Sequence, residues 1–86
     1  LSVNFSGDSP TLIISNQDRP GRVTEVTSLL GTENINVAAM QLHRAERGGN
    51  AVMVLECDQE VPAQVIRQLS ELEGILKVTY LSGEGA

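Results

Sequence analysis

The order of hydrophobic patterns along the chain is the feature that most constrains its fold. Short segments rich in Val, Ile and Leu are typical of strands, and they alternate with longer segments whose apolar residues recur at helical spacing. The predicted strands are 11–15, 35–44, 51–57 and 75–81, and the predicted helices are 20–32 and 61–73. The sequence therefore predicts the order β-α-β-β-α-β.

Two strand–helix–strand units joined by a hairpin are typical of the α+β, ferredoxin-like βαββαβ sandwich. Right-handed crossovers then place both helices on one face of a four-stranded antiparallel sheet. Leu12 and Ile14 share one face of the first strand and Ile13 lies on the other, which predicts a central strand. In the second strand the apolar parity changes, so we expect a bulge near Ala38-Ala39.

The helix ends carry recognisable signals. Asp18 is placed to cap a helix that begins near Arg19 or Pro20, and Asn34 suits a left-handed stop after it. Gly74 is expected to end the second helix at its C′ position. In the last strand Leu76, Val78 and Tyr80 share a parity, and this predicts that all three face the same side of the sheet. Glu46–Asn50 is predicted to form the hairpin turn.

A chain of 86 residues is long enough for one domain with a thin core. We expect residues 1–9 to be a linker or an extra edge strand, 10–82 to be the folded domain, and 83–86 to be a flexible tail. The sheet face opposite the helices is expected to leave Ile13 and Val54 uncovered. Exposed apolar surface of that kind predicts a homodimer formed through a sheet edge or face.

Composition excludes several classes of partner. Eleven acidic residues against six basic ones give a net charge of −5, and there are only two aromatic residues, which argues against nucleic-acid binding. No apolar run is long enough to span a membrane. A single cysteine in an acidic chain is typical of a cytoplasmic protein.

Catalytic and metal-binding patterns are absent from the sequence. His43 has no nucleophile in its neighbourhood along the chain, and Cys57 has no partner motif for a metal. The domain is therefore predicted to be non-catalytic, without a metal or cofactor of its own.

The segment from Asn16 to Gly21 is the candidate ligand site. It follows a strand and leads directly into a helix, whose first N–H groups attract an anion. Gly21 permits close approach to the backbone, while the side-chain oxygens of Asn16 and Asp18 could accept hydrogen bonds from an ammonium group. An α-amino acid would suit these groups, with Asn36 added from a neighbouring subunit. The alternative interpretation is that Asp18 only caps the helix and Pro20-Gly21 only shapes its entry.

Three segments together resemble the ACT domain family: 16–21 (NQDRPG), 35–40 (INVAAM) and 48–53 (GGNAVM). The resemblance extends over about 10–81. It implies a regulatory module that binds an amino-acid effector between paired domains and acts on a catalytic domain or chain. The ligand contacts implied by the resemblance are Asn16, Asp18, Arg19, Pro20, Gly21, Asn36 and Val37. Asn16 stands where serine-binding relatives commonly have histidine.

Within this family the segment 3–12 is similar to the lead-in of iron–sulfur L-serine dehydratase β chains. The remainder resembles the serine-sensing domain of phosphoglycerate dehydrogenase almost as well. The first resemblance implies a parent enzyme that converts L-serine to pyruvate and ammonia with a [4Fe–4S] cluster. The short N-terminal stretch favours that parent, and the dehydrogenase is the alternative.

Overall fold

The computed structural model describes residues 9–44 and 49–83, and its elements follow the predicted order. The strands are β1 (Thr11–Gln17), β2 (Val37–Arg44), β3 (Asn50–Cys57) and β4 (Ile75–Leu81), and the helices are α1 (Arg22–Thr32) and α2 (Ala63–Ser70). The predictions for 1–8, 84–86 and most of the hairpin turn lie outside the described residues.

The four strands form one antiparallel sheet in the order β2-β3-β1-β4. The two central strands, β1 and β3, have paired residues on the same face, so that Leu12 lies opposite Leu55 and Ile14 opposite Met53. Residues of both helices join this face in a single core cluster. The predicted ferredoxin-like architecture, with β1 in the centre of the sheet, is confirmed.

The core consists almost entirely of aliphatic side chains. Its fully buried members include Leu12, Ile14, Val26, Leu30, Met53, Leu55, Val65 and Leu69. Burying a side chain of this size stabilises a fold by about 1.5–3 kcal/mol relative to leaving it exposed. The helical spacing of Val26 and Leu30 in α1, and of Val65 and Leu69 in α2, explains why both helices bury one stripe on the sheet.

Strand β2 contains the predicted bulge. Val37 pairs with Cys57, and the register shifts before Ala39 pairs with Glu56. One extra residue on β2 changes the parity of the strand, so that Val37 and Met40 both lie on the helix side. Met40 and Leu42 nevertheless stay exposed, because β2 is an edge strand.

The predicted face of β4 is wrong for Leu76, whose surface is 52% exposed. Asn16 pairs with Ile75 and Ser15 with Lys77, so the register shifts there and Leu76 is an extra residue on β4. Ile75 therefore takes the core-facing position at the start of the strand and packs against the core with Val78.

The predicted end of α2 is also wrong. The helix ends at Ser70 with Glu71 as its C-cap, and Gly74 lies in the following turn with φ 85°. A Cβ atom at Gly74 would lie 2.3 Å from Arg22 Nε, so the Arg22 side chain would have to move. The turn favours glycine chiefly for its backbone angle. The left-handed stop at Asn34 is confirmed, with φ 63°.

The apolar residues that remain exposed are on the edges of the sheet rather than on its open face. Val54 was expected to be uncovered but is only 1% exposed, and Ile13 is half-buried. Among the described residues, the exposed large apolar side chains are Met40, Leu42, Leu76 and Leu81. The first two lie on edge strand β2 and the other two on edge strand β4.

Candidate functional site

The turn from β1 into α1 is shaped by Gly21, which has φ 89° and is the N-cap residue of the helix. This backbone angle is costly for residues with a Cβ atom. The Gly21 carbonyl accepts the first helical hydrogen bond, from Glu25 N at 2.9 Å. At the other end of the turn, Asp18 N donates to Gly49 O at 2.8 Å, which fixes the turn against the start of β3.

Asp18 does not cap the helix, which corrects the sequence-based prediction. The left-handed Gly21 delays the start of α1 to Arg22, and no side chain caps it. The Asp18 carboxylate instead pairs with Arg44 at the end of β2, with Oδ2 3.1 Å from Nε. The Asp18 side chain is 12% exposed and that of Arg44 is 56% exposed, so the pair lies at the surface with its acidic partner mostly covered.

A cavity of about 390 Å³ lies between this turn and β2. Such a volume falls at the lower end of the range for small-molecule sites, roughly 300–1,000 Å³. Its lining residues are Asp18, Arg19, Pro20, Gly21, Val23, Thr24, Leu42 and Arg44. The structure thus brings four of the predicted site residues together around one space and adds four that were not predicted.

The cavity offers both kinds of polar group. Within the described part of the chain, the N–H groups of Val23 and Thr24 have no hydrogen-bond acceptor, as is general in the first turn of a helix. These donors and the guanidinium groups of Arg19 and Arg44 can bind an anion, whereas the Asp18 carboxylate can accept from an ammonium group. Together they are suited to a small molecule that carries both charges.

Asn16 lies outside the cavity lining. Its side chain is on the core face of β1, is 2% exposed, and donates from Nδ2 to the carbonyl of Gln17 at 3.0 Å. Its Oδ1 has no hydrogen-bond partner in the described structure. A buried acceptor of this kind costs about 1–3 kcal/mol if it stays unpaired. The predicted direct contact between Asn16 and a ligand stays a prediction.

Asn36 and Val37 also lie apart from the cavity within one chain. The Asn36 amide donates from Nδ2 to Asp58 Oδ2, and Asn36 N donates to Gln59 Oε1 at 3.0 Å. Gln59 in turn donates from Nε2 to the Asn34 carbonyl at 2.7 Å. Because the Asp58 carboxylate can only accept, it orients the Asn36 amide with its oxygen directed away from this contact. Val37 is half-buried against the core.

The other reactive side chains, those of Cys57 and His43, have the surroundings of residues that serve the fold. Burial, and secondarily the Asp58 carboxylate, raise the pKa of the Cys57 thiol to about 11, so it stays protonated and unreactive near neutral pH. The Nε2 atom of His43 lies 3.0 Å from Oε1 of Gln41, within hydrogen-bonding distance.

Over residues 9–44 and 49–83, no three His, Cys, Asp or Glu side chains are grouped to hold a metal ion. In the same residues, neither helix is long and apolar enough to cross a membrane.

Comparison with known proteins gives matches over most of the chain. The chain is 39% identical over 80 residues to D-3-phosphoglycerate dehydrogenase of Methanocaldococcus jannaschii, and this match covers 93% of the chain and 15% of that protein. The chain is 30% identical over 82 residues to the probable L-serine dehydratase β chain of Bacillus subtilis, and this match covers 95% of the chain and 37% of that protein. The chain thus spans well under half the length of these relatives.

Solved structures share the fold. The ACT domain from GTP pyrophosphokinase of Chlorobium tepidum superposes with a TM-score of 0.68 over 84% of this chain and 95% of that one, at 16% identity. The model of the ACT domain family matches residues 10–74, which include the whole cavity lining. The chain belongs to the ACT domain family.

Proposed function

We propose that the chain is a regulatory domain that binds a free amino acid, L-serine, in the cavity beside the β1–α1 turn. The observation that carries this proposal is the cavity's combination of one carboxylate, Asp18, with N–H donors at Val23 and Thr24 and the guanidinium of Arg44. An α-amino acid carries one ammonium and one carboxylate group, so each finds a complementary group. Occupancy is then signalled to a catalytic domain or chain of the same enzyme.

The choice of L-serine is supported by the chain's relatives. One is a probable L-serine dehydratase β chain, and the dehydrogenase relatives resemble this chain over a domain that the family resemblance links to serine sensing. The cavity is small, which suits a compact side chain. Thr24 adds a hydroxyl-bearing residue to the lining, and a serine hydroxyl could exchange hydrogen bonds with it.

Two parent enzymes fit this proposal. The N-terminal segment favours an iron–sulfur L-serine dehydratase, whereas the higher identity, 39% against 30%, favours phosphoglycerate dehydrogenase. A [4Fe–4S] cluster needs several thiolate ligands, and this chain has one cysteine, which is buried. Any cluster would therefore be held elsewhere in the enzyme. A nicotinamide-cofactor domain encoded with this chain would identify the dehydrogenase.

A second copy of the chain completes the proposed site. Edge strand β2 exposes Met40 and Leu42, and an apolar edge of this kind favours pairing with another strand. Leu42 also lines the cavity, so the pairing edge and the ligand site are contiguous. Asn36 and Val37 of the second copy are proposed to reach the ligand there. The Asn36 amide oxygen, which is directed away from Asp58, would accept from the ligand's ammonium or hydroxyl group.

A purely structural dimerisation module is the second candidate, and the exposed apolar residues on both sheet edges favour it. Calorimetric titration of the chain with the twenty standard amino acids separates the two functions. The regulatory proposal predicts heat of binding with L-serine and a rise in melting temperature with ligand concentration. A stable dimer whose melting temperature ignores every amino acid would leave only the structural module.

A further inference from the structure

The Asp18–Arg44 ion pair connects two separate parts of the cavity. Asp18 belongs to the β1–α1 turn, whereas Arg44 is the last residue of edge strand β2. Both residues line the cavity, and Asp18 Oδ2 lies 3.1 Å from Arg44 Nε. The pair is therefore part of the cavity wall, and a molecule entering the cavity meets both charges at once.

An exchange of partners at this pair is inexpensive. More than half of the Arg44 side chain is exposed, and an ion pair open to solvent contributes little to stability. The Asp18 side chain is less exposed than that of Arg44, so its carboxylate depends more on a cationic partner than the guanidinium depends on an anionic one. A ligand cation that replaces Arg44 therefore stabilises it. The released guanidinium keeps its charge at neutral pH and presents a planar set of donors suited to a carboxylate.

We propose that Arg44 determines the class of ligand by binding the α-carboxylate while Asp18 binds the α-ammonium group. This inference rests on the proposed function and adds a residue and a requirement to it. In an α-amino acid the two charged groups are attached to the same carbon, so a ligand whose ammonium group contacts Asp18 holds its carboxylate beside Arg44. One ion pair within the protein is replaced by two between protein and ligand.

The requirement that follows is a free carboxylate. Arg19 also lines the cavity but is exposed, and among the described residues it is Arg44 that pairs with Asp18. Arg19 is therefore not held where the carboxylate of such a ligand would lie. The site should accept amino acids with a small side chain, which would rest near Val23 and Leu42. It should discriminate against amino-acid amides, in which the carboxylate is replaced by an uncharged group.

The test is calorimetric titration of the chain with the amino acid that binds most tightly among the twenty, and with the amide of that amino acid. The variants are Arg44→Gln, Arg44→Lys and the control Arg67→Gln, which removes an exposed arginine from α2. Loss of a charge-assisted contact predicts that Arg44→Gln binds the amino acid about 10-fold to 100-fold more weakly. The amide should bind Arg44→Gln at least as tightly as the unmodified chain, because its ammonium group then has no Arg44 to displace from Asp18. Arg44→Lys should recover part of the affinity for the amino acid, and Arg67→Gln should change nothing.

The outcomes separate this inference from the proposed function. Equal affinity of the amino acid for Arg44→Gln and the unmodified chain would overturn the role of Arg44 and leave the proposed function standing. An equal loss of affinity for the amino acid and its amide would also overturn it, because the effect would then not depend on the carboxylate. If none of the twenty amino acids binds the unmodified chain, both proposals fail.

Discussion

The two ends of helix α1 are built from similar polar residues, yet one end has open hydrogen-bonding groups and the other is closed. At the open end, the N–H groups of Val23 and Thr24 have no acceptor within residues 9–44 and 49–83, and one ion pair borders a cavity. Gly21 and Asp18 shape the turn there. This end has the groups needed for a ligand, and backbone hydrogen bonds such as that from Asp18 N to Gly49 O hold its turn in place.

At the closed end, hydrogen bonds tie the turn after α1 to the turn after β3. Ile35 N donates to Leu30 O at 2.8 Å, and Asp58 N donates to Asn36 O at 2.9 Å. The side chains of Asn36 and Gln59 add contacts in both directions. A polar residue predicted for a ligand site, Asn36, thus also serves the fold of its own chain.

Removing the carboxylate at the open end should have the largest effect. Asp18→Ala is expected to weaken L-serine binding by about 1.5–3 kcal/mol, because it removes the group that accepts from the ligand's ammonium. The free energy of unfolding should fall by less than about 1 kcal/mol, since the ion pair lies at the surface and its partner Arg44 is more than half exposed. Titration calorimetry and urea unfolding measure the two quantities. Glu33→Ala, at the other end of α1, is the control, and equal affinities for the two variants would break the comparison.

Removing Asn36 should lower stability, in addition to any loss of ligand affinity where two copies meet. Asn36→Ala is expected to reduce the free energy of unfolding by about 1–2 kcal/mol, because the hydrogen bond to the charged Asp58 is lost. Asp58→Ala should have a similar effect, and the double variant should be less destabilised than the sum of the two. Asn50→Ala, an exposed asparagine at the start of β3, serves as the control for urea unfolding. Strict additivity would show that the closed end is not held by this contact.

The left-handed residues at the two ends should respond in opposite directions. Gly21→Ala is expected to lower the free energy of unfolding by about 1 kcal/mol, because a Cβ atom there meets no neighbour and the cost is that of the backbone angle alone. Asn34→Gly should leave stability unchanged or raise it by a few tenths of a kcal/mol, since glycine adopts a φ of 63° freely. Thermal unfolding of both variants measures these changes. An equal loss of stability in the two variants would contradict these backbone angles.

Alkaline pH should weaken the core beside the closed end. The pKa of Cys57 is raised from 9.0 to about 11, so the fold favours the neutral thiol. Its contribution is fully present below pH 9 and is lost as the pH rises towards 11; at pH 9.5 the loss is below about 1 kcal/mol. Tyr80 titrates in the same direction, because burial and donation to Glu60 raise its pKa.

Urea unfolding between pH 8 and 11 measures this loss. Cys57→Ala should reduce the pH dependence, and Tyr80→Phe should remove the part that belongs to the phenol. A Cys57→Ala variant with the full pH dependence would place the effect elsewhere.

Much of the fold could be predicted from sequence because the period of the hydrophobic residues identifies each strand and helix locally. The order of these elements along the chain then indicates the topology. The bulge in β2 was visible in the parity change between Val37 and Met40. Two predictions failed where one residue decided the outcome: the extra residue Leu76 reversed the parity at the start of β4, and left-handed Gly21 moved the start of α1 beyond the reach of Asp18.

The candidate site was predicted only in the part that is continuous along the chain. Residues 18–21 lie in one turn, whereas Leu42 and Arg44 reach the cavity from β2. Met40, Leu42 and Arg44 have the same parity, which after the bulge places them on the helix side of the sheet. That parity was the available signal, but it could not reveal that Arg44 pairs with Asp18.

The central claim is that the open end of α1 binds an amino acid, and two-dimensional NMR of the ¹⁵N-labelled chain tests it directly. Adding L-serine should shift the backbone amide signals of Gly21, Val23 and Thr24 and the side-chain Nε–H signal of Arg44, in a saturable manner. Saturable shifts confined to other parts of the chain, or no shifts with L-serine or any other amino acid, would contradict the claim.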